Sequence, residues 1–250
     1  MARDRIYFAS DFHLGSPDYD KSLVREKKIC RWLDSIYDKA KEIYLVGDIF
    51  DFWFEYNKVI PKGFERLKGK LANFTDDGIK IHFFPGNHDL WTFGYLEKEL
   101  GLIVHKKPLI KKINDKTFYI CHGDGLGNSD FKYKFLKNIF LNKFCQLLFS
   151  KLNPNLGIKL AQSWSKNSRK KGGSFNKNIL RSQLIDFSKK ILKKQHVDFF
   201  IFGHIHEPYE EMLNDKSKFI NLGDWIKHFS YYEFNDNTIV KKNVDNICKY

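Results

Sequence analysis

Cysteine and proline are scarce in this sequence, and each shortage excludes certain structural features. The chain of 250 residues has four cysteines, none in a C-x-x-C pair, which excludes a zinc ribbon and a dithiol redox motif. Scattered cysteines are typical of reduced thiols, so we expect a cytoplasmic protein. With six prolines and no Ser/Gly-rich stretch there is no flexible linker, so we expect a single domain over residues 1–250.

Long hydrophobic runs are also missing. There is no run of about 18 uncharged apolar residues, so we expect no membrane-spanning helix. Asp4 and Arg5 interrupt the start of the chain, so we expect no signal peptide. Aromatic residues make up 16% of the chain, a content that excludes a disordered protein.

Acidic residues are nearly absent from one quarter of the chain. Residues 131–194 contain 16 Lys and Arg but one acid, Asp186, whereas acids slightly outnumber bases elsewhere. The net charge of +13 is therefore concentrated in this segment. We expect the segment to face an anionic partner.

Short apolar runs recur along the chain, and several end in a polar cluster. We predict strands at 6–10, 43–46, 79–84, 117–121 and 198–202. Helical spacing predicts helices over 21–38, 62–74 and 93–100, a mostly helical insertion over 125–195, and a β-rich tail over 208–242. This order predicts an α/β fold, a two-sheet β-sandwich flanked by helices.

The polar clusters contain the residue types that bind divalent metal ions. They are Asp11-x-His13, Gly47-Asp48-x-x-Asp51, Gly86-Asn87-His88-Asp89, His122-Gly123-Asp124 and Gly203-His204-x-His206. Because ligands bind outside the carboxyl ends of strands in open α/β sheets, five such loops can converge. Mixed carboxylate, amide and imidazole donors favour a transition metal over Ca²⁺. We expect the glycines to let the backbone turn sharply before each ligand.

Each cluster has a simpler explanation when it is taken alone. A Gly-Asp pair at a strand end is often only a turn, and Asn-His-Asp can cap a helix. His122 and His204 can be hydrogen-bonded core histidines. The joint occurrence of all five clusters, each after a strand, favours a metal site.

Together the clusters resemble the pattern of the calcineurin-like metallophosphoesterase superfamily, which is D-x-H, G-D-x-x-D, G-N-H-[DE], H and G-H-x-H. The resemblance implies a phosphoric ester hydrolase with two divalent ions, with Mn²⁺ expected and Fe²⁺ or Zn²⁺ as alternatives. It implies one ion on Asp11, His13, Asp48 and His206. It implies a second ion on Asp48, Asn87, His122 and His204.

The same resemblance gives roles to residues beside the ligands. Asp51 and Asp89 are expected to orient the Asp48 loop and His88. His88 is expected to donate a hydrogen bond to the phosphoryl group or to protonate the leaving oxygen.

The insertion has two unusual segments. Residues 131–160 combine lysines with a broad stripe of Phe and Leu, which suits either an anionic membrane surface or ordinary packing on the sheet. Residues 165–173 combine serines, an asparagine and four cations, which suits either phosphate binding or a solvated basic loop.

The arrangement is similar to the UDP-2,3-diacylglucosamine diphosphatases of the lipid A pathway, and most similar to their Bacteroidetes-type branch. The similarity covers nearly the whole chain, including residues 47–53, 122–126 and 221–225. It implies release of UMP and 2,3-diacylglucosamine 1-phosphate (lipid X) on the cytoplasmic face of the inner membrane, with the acyl chains held by the insertion. The implied substrate contacts are Asn87, His88, Asp130, Ser168 and His204. An asparagine and a lysine that contact substrate in the family's insertion fall near Gly172 and Phe175 here without counterparts, and we expect Arg169, Lys170 or Lys171 to substitute for them. One departure is His88, where the best-known members have Arg.

Two other interpretations compete with this one. A nuclease or nucleotide phosphodiesterase would use the basic segment on a nucleic-acid backbone and its aromatics on bases. Phe and Leu outnumber what a wet phosphate-binding face needs, so nucleic acid is not the expected partner. A non-catalytic interaction module would not need every ligand, yet all are present. The oligomeric state stays open.

Overall fold

The computed structural model describes residues 3–127, 131–172 and 177–244. The strands are β1 (Arg5–Ala9), β2 (Ala40–Val46), β3 (Lys80–Phe84), β4 (Ile103–Val104), β5 (Leu109–Ile113), β6 (Lys116–Ile120), β7 (Phe199–Phe202), β8 (Pro208–Met212), β9 (Lys218–Leu222), β10 (Ser230–Asn235) and β11 (Thr238–Asn243). The helices are α1 (Tyr19–Ile36), α2 (Glu65–Asp76), α3 (Tyr95–Leu100), α4 (Phe131–Leu141), α5 (Lys143–Ser150), α6 (Pro154–Gly172) and α7 (Lys177–Leu192).

The strands form two sheets. The first has the order β11-β10-β1-β2-β3-β4, in which β1 to β4 are parallel. The second has the order β5-β6-β7-β9-β8, in which β6, β7 and β9 are parallel. The predicted two-sheet α/β architecture is confirmed. The carboxyl ends of neighbouring parallel strands meet at one edge, which is where ligands bind in such sheets.

Alternation along the strands builds the layers, because successive side chains of a strand point to opposite faces. In β1, Ile6 and Phe8 enter the core between the sheets, where Phe8 stacks on Phe118 with ring centroids 5.6 Å apart. Tyr7 and Ala9 face the other way, into the core beneath α1, α2 and α3. Helix α7 covers the outer face of the second sheet. Four layers result: helices, sheet, sheet and helix.

Helices α4 to α7 connect β6 to β7, two parallel neighbours in the second sheet. While α7 packs on that sheet, α4 and α5 contact the loops after β2 and β3 through aromatic side chains, and α6 approaches the loop after β2 at Gly157. Phe149 lies 4.8 Å from Phe54 between ring centroids. A Cβ on Gly157 would lie 2.4 Å from the Tyr56 hydroxyl oxygen, so α6 can pack this closely only because residue 157 has no side chain.

The basic segment of the insertion is mostly helical. Helix α6 continues to Gly172, so the alternative of a solvated basic loop over residues 165–173 does not hold. Lysine and arginine are good helix formers, and the segment has no proline to end the helix. Among the described helices, none has the length and apolar character needed to cross a membrane.

Candidate metal centre

The predicted ligands follow the carboxyl ends of five strands. Asp11 and His13 follow β1, Asp48 follows β2 and Asn87 follows β3. His122 follows β6, and His204 and His206 follow β7. The two sheets contribute to one site, because the loop after β7 contacts the loop after β1 through His204 and Asp11, and His122 after β6 contacts the Val46 carbonyl at the end of β2.

Five of these seven residues have left-handed backbone conformations. Their φ angles are +56° for Asp11, +46° for His13, +54° for Asp48, +70° for His204 and +59° for His206. Side chains other than glycine rarely adopt this region, at a cost of about 1–2 kcal/mol each. Such strain is concentrated at functional sites, where the surrounding structure holds it.

The first predicted ligand set lies together. One ligand atom from each of Asp11, His13, Asp48 and His206 lies within 4.8 Å of the other three. His13 Nε2 is 3.3 Å from His206 Nε2 and 3.6 Å from Asp48 Oδ2. His206 Nε2 is 3.5 Å from Asp11 Oδ1. Two imidazole nitrogens and two carboxylates therefore face one point.

The second predicted set meets the first at Asp48. His122 Nε2 is 3.4 Å from Asp48 Oδ2, and the His204 ring centroid lies 5.2 Å from that of His122. The backbone N–H of His204 donates to Asp11 Oδ2 at 3.1 Å. Asn87 is half-buried in the loop after β3.

A shared pattern orients three of the histidines. His122 Nδ1 donates to the Val46 carbonyl at 2.9 Å. His13 Nδ1 lies 3.4 Å from Asp51 Oδ1, and His206 Nδ1 lies 3.5 Å from Asp224 Oδ2. Since one ring nitrogen faces an acceptor, Nε2 presents its lone pair to the cluster. Histidines that bind metals are oriented in this way.

The glycines before the ligands serve mainly to leave space. A Cβ on Gly86 would lie 2.2 Å from Asp48 Oδ1, and one on Gly203 would lie 2.7 Å from Asp11 Oδ2. Of Gly47, Gly86 and Gly203, only Gly47 has a positive φ angle, +86°. The expected sharp turn therefore holds for Gly47, whereas Gly86 and Gly203 let carboxylates approach the backbone.

Asp89 organises the loop that carries Asp48. Its carboxylate accepts hydrogen bonds from the backbone N–H groups of Ile49 and Gly86, both at 2.7 Å, and from Phe50 at 3.2 Å. Burial and the neighbouring Asp48 charge raise the pKa of Asp89 to about 7, against these donors. The backbone N–H of His88 donates to Asp48 Oδ1 at 2.9 Å.

The charges of the centre are strongly interdependent. Burial disfavours a charged His13, yet the neighbouring carboxylates of Asp11 and Asp51 raise its pKa to about 10. The pKa of His122 is also raised to about 10 by Asp48, again against burial. Burial and the charge of His122 lower the pKa of His204 to about 4. The buried carboxylates thus favour positive charge nearby, which either protons or metal cations supply.

Unpaired polar atoms show that the site fits a cation. Within the part of the chain that the structure describes, Asp11 Oδ1, Asn87 Oδ1 and His122 Nε2 are buried without a hydrogen-bond partner. A buried polar atom without a partner costs about 1–3 kcal/mol, so each needs an explanation. Bound divalent metal explains all three, since oxygen and imidazole donors of this kind suit transition metals.

Known proteins are similar to this chain in sequence and in fold. A family model described as calcineurin-like phosphoesterase matches residues 4–208. The chain belongs to the calcineurin-like phosphoesterase family. A UDP-2,3-diacylglucosamine hydrolase of Porphyromonas gingivalis is 36% identical, over 98% of this chain and 99% of that protein. One of Wigglesworthia glossinidia brevipalpis is 29% identical, over 97% and 96%. Among solved structures, a phosphoesterase from E. coli has a TM-score of 0.48 and 13% sequence identity, covering 97% of this chain and 94% of that one.

The predicted substrate contacts of this phosphoesterase are only partly visible. The His88 ring lies 4.8 Å from that of His13, the His204 ring lies 5.2 Å from that of His122, and Asn87 precedes His88 in the loop after β3. Asp130 lies outside the described residues, as do the side chains of Ser168, Arg169, Lys170 and Lys171, although the backbone of these four belongs to α6. Those five contacts stay predictions.

Two residues of this phosphoesterase reach the centre without having been predicted as site residues. Asp224 follows β9 in a Gly-Asp pair like that of Gly47 and Asp48, and that repetition was the available signal. The Asp224 carboxylate faces His206. Ser165 lies on α6, and its hydroxyl donates to Asp51 Oδ2 at 3.0 Å. A serine in a basic segment gives no sequence signal for this contact.

Proposed function

We propose that this phosphoesterase hydrolyses the diphosphate of UDP-2,3-diacylglucosamine. One water is added across the P–O–P bridge, which gives UMP and 2,3-diacylglucosamine 1-phosphate. The observation that carries the proposal is the cluster of Asp11, His13, Asp48 and His206, whose ligand atoms lie within 4.8 Å of one another. The near full-length relatives named as hydrolases of this substrate support its identity.

The proposal includes two divalent ions, with Mn²⁺ as the first choice. The ions supply Lewis-acid activation of water and of a phosphoryl oxygen. Asp11, His13, Asp48 and His206 would hold one ion. Asp48, Asn87, His122 and His204 would hold the other. Asp51, Asp89 and Asp224 would keep ligands and loops in place through the hydrogen bonds and short contacts described above.

His88 is the proposed proton carrier. Burial lowers the pKa of His88, because the charged ring loses solvation. Its ring centroid lies 4.8 Å from that of His13, close to the cluster. From this place it would donate a hydrogen bond to the phosphoryl group or a proton to the leaving oxygen.

The insertion would place the protein on the cytoplasmic face of an anionic membrane, where a diacylated substrate resides. Its outer helices expose large apolar side chains, with Phe135 at 69% and Phe144 at 66% of their full accessibility. Few of the described acidic residues lie near these helices. One of them, Asp124, forms an ion pair with Lys137 at 2.5 Å. An apolar face with surrounding lysines suits peripheral binding to anionic lipid.

The test is hydrolysis by the purified chain supplied with Mn²⁺. UDP-2,3-diacylglucosamine is compared with a UDP-sugar that has no acyl chains and with bis-p-nitrophenyl phosphate, and UMP release is measured. We expect UMP from the acylated substrate in preference to the unacylated one, and loss of activity after chelation. Cleavage of bis-p-nitrophenyl phosphate without UMP release would retain the phosphoesterase and refute the substrate. Salt-dependent turnover of RNA or DNA would instead favour a nuclease.

A further inference from the structure

A cleft opens at the amino ends of β1 and β2, at the opposite end of these strands from the metal centre. Its volume is about 540 Å³, and residues of α1, β1, β10 and β11 line it. Ligand pockets span roughly 300–1,000 Å³, so this amino-end cleft has room for one small molecule. Arg5 in the cleft precedes the proposed ligand Asp11 by six positions, so the two sites are roughly 20 Å apart along the strand.

Positive side chains dominate the lining of the amino-end cleft. They are Arg5, Lys39, Lys241 and Lys242. Among the described residues, one acid lines the cleft with them, Glu233. Outside residues 131–194 acids slightly outnumber bases, so four cations around one cleft are a local concentration of charge. Such a concentration favours an anionic ligand.

Glu233 does not neutralise this cleft. Its Oε1 atom lies 2.8 Å from Arg5 Nη1 and 2.8 Å from Lys242 Nζ, so two cations share one carboxylate. Within residues 3–127, 131–172 and 177–244, Lys39 and Lys241 form no ion pair. Positive charge is therefore left over for a ligand.

Two buried tyrosines wall the cleft without adding negative charge. Tyr7 is 1% exposed and Tyr231 is 3% exposed, and their ring centroids lie 6.2 Å apart. Burial and the charge of Glu233 raise the pKa of Tyr7 well above its usual value, and they raise the pKa of Tyr231 to about 12. Both phenols stay protonated at neutral pH, so the cations of the cleft keep their excess.

The sheet holds the cationic groups in place. Arg5, Glu233 and Lys242 belong to β1, β10 and β11, which are neighbours in the first sheet, and their ion pairs run across these three strands. The backbone N–H of Arg5 donates to the Lys39 carbonyl at 3.0 Å, which fixes the loop before β2 at the same end of the sheet. The cleft is therefore formed before any ligand binds, which lowers the entropic cost of binding.

We propose that the amino-end cleft binds the phosphate groups of a small molecule, at a site separate from the metal centre. Guanidinium and ammonium groups bind phosphate oxygens through charge-assisted hydrogen bonds, and Arg5 and Lys39 bring one of each to the cleft. The site goes beyond the proposed hydrolysis, because it uses no proposed metal ligand and no part of the insertion.

The test measures binding to the full chain by calorimetry, with the metal-loaded protein and again after chelation. Inorganic pyrophosphate and ADP are the probes, and adenosine is the uncharged comparison. Lys39→Gln combined with Lys242→Gln removes two charges from the cleft. Lys189→Gln combined with Lys190→Gln removes two charges from exposed lysines of α7, in the basic insertion, and is the matched control. Lys39→Gln alone changes an exposed side chain without an ion pair, so it tests the site even if the double variant is unstable.

We expect one equivalent of pyrophosphate or ADP to bind after chelation, with no binding of adenosine. The cleft double variant should weaken this binding about tenfold and Lys39→Gln about threefold, since charge-assisted contacts to phosphate are lost. The α7 control should bind like the parent chain. Tighter binding of ADP would assign a nucleotide to the cleft, and tighter binding of pyrophosphate would assign a free diphosphate. No binding after chelation, equal weakening in both double variants, or weakening in the control alone would overturn the proposal.

Discussion

The metal centre and the outer face of the insertion are opposite kinds of surface. Asp11 and His13 are fully buried and Asp48 is 1% exposed, whereas Phe135 and Phe144 on α4 and α5 are mostly exposed. A metal site needs donors at fixed distances, which only strand ends and hydrogen-bonded loops provide. A membrane-facing surface needs only the right composition on one side of a helix. Substitutions that change a single atom should therefore affect function at the metal centre but not on the outer face of the insertion.

The largest effect is expected from removing the shared carboxylate. Asp48→Ala should lose metal and lower kcat/KM by about a thousandfold or more, since both proposed ions use this side chain. Metal content by mass spectrometry and hydrolysis of bis-p-nitrophenyl phosphate measure the two effects. Asp186→Ala, an exposed acid on α7, is the control and should change neither. An Asp48→Ala protein that keeps both its metal and its activity would contradict the assignment.

A smaller effect should separate chemistry from metal binding. His88→Ala should lower kcat about a hundredfold, the usual scale for loss of a general acid, while metal content stays at the parent level. His196→Ala is the comparison, because this histidine is exposed near β7 and outside the centre. A metal-free His88→Ala protein would show that His88 is a ligand.

The next effect concerns support of a ligand rather than the ligand itself. Asp224→Asn keeps an oxygen for the backbone N–H groups of Lys227 and His228 but removes the charge beside His206. We expect metal affinity to fall about tenfold, as measured by competition with a chelator. Asp215→Asn, in the exposed turn after β8, should leave affinity unchanged. If both variants bind metal equally, Asp224 does not orient His206.

The two regions also differ in how far sequence analysis could describe them. The five clusters and their strands predicted the two-sheet fold, because strand ends and ligand motifs are local features. Asp224 was missed as a site residue although its Gly-Asp pair repeats that of Asp48. The contact of Ser165 could not be predicted, since it depends on how α6 packs against a loop 114 positions away. The sequence could not decide between a loop and a helix over residues 165–173, because a basic, glycine-ended segment suits both equally well by composition.

The smallest effect tests the insertion, where composition rather than geometry should count. Phe135→Ser combined with Phe144→Ser should weaken binding to anionic phosphatidylglycerol vesicles and raise KM for UDP-2,3-diacylglucosamine about fivefold. Loss of each ring would remove only part of the roughly 1.5–3 kcal/mol that full burial of a Phe side chain contributes. Tyr19→Ser, on the exposed side of α1 at 71% accessibility, is the matched control. Turnover of bis-p-nitrophenyl phosphate should be equal in all three proteins, because this substrate needs no membrane. A parallel loss on both substrates would instead mean that the two rings stabilise the insertion itself, and the membrane-facing role would fail.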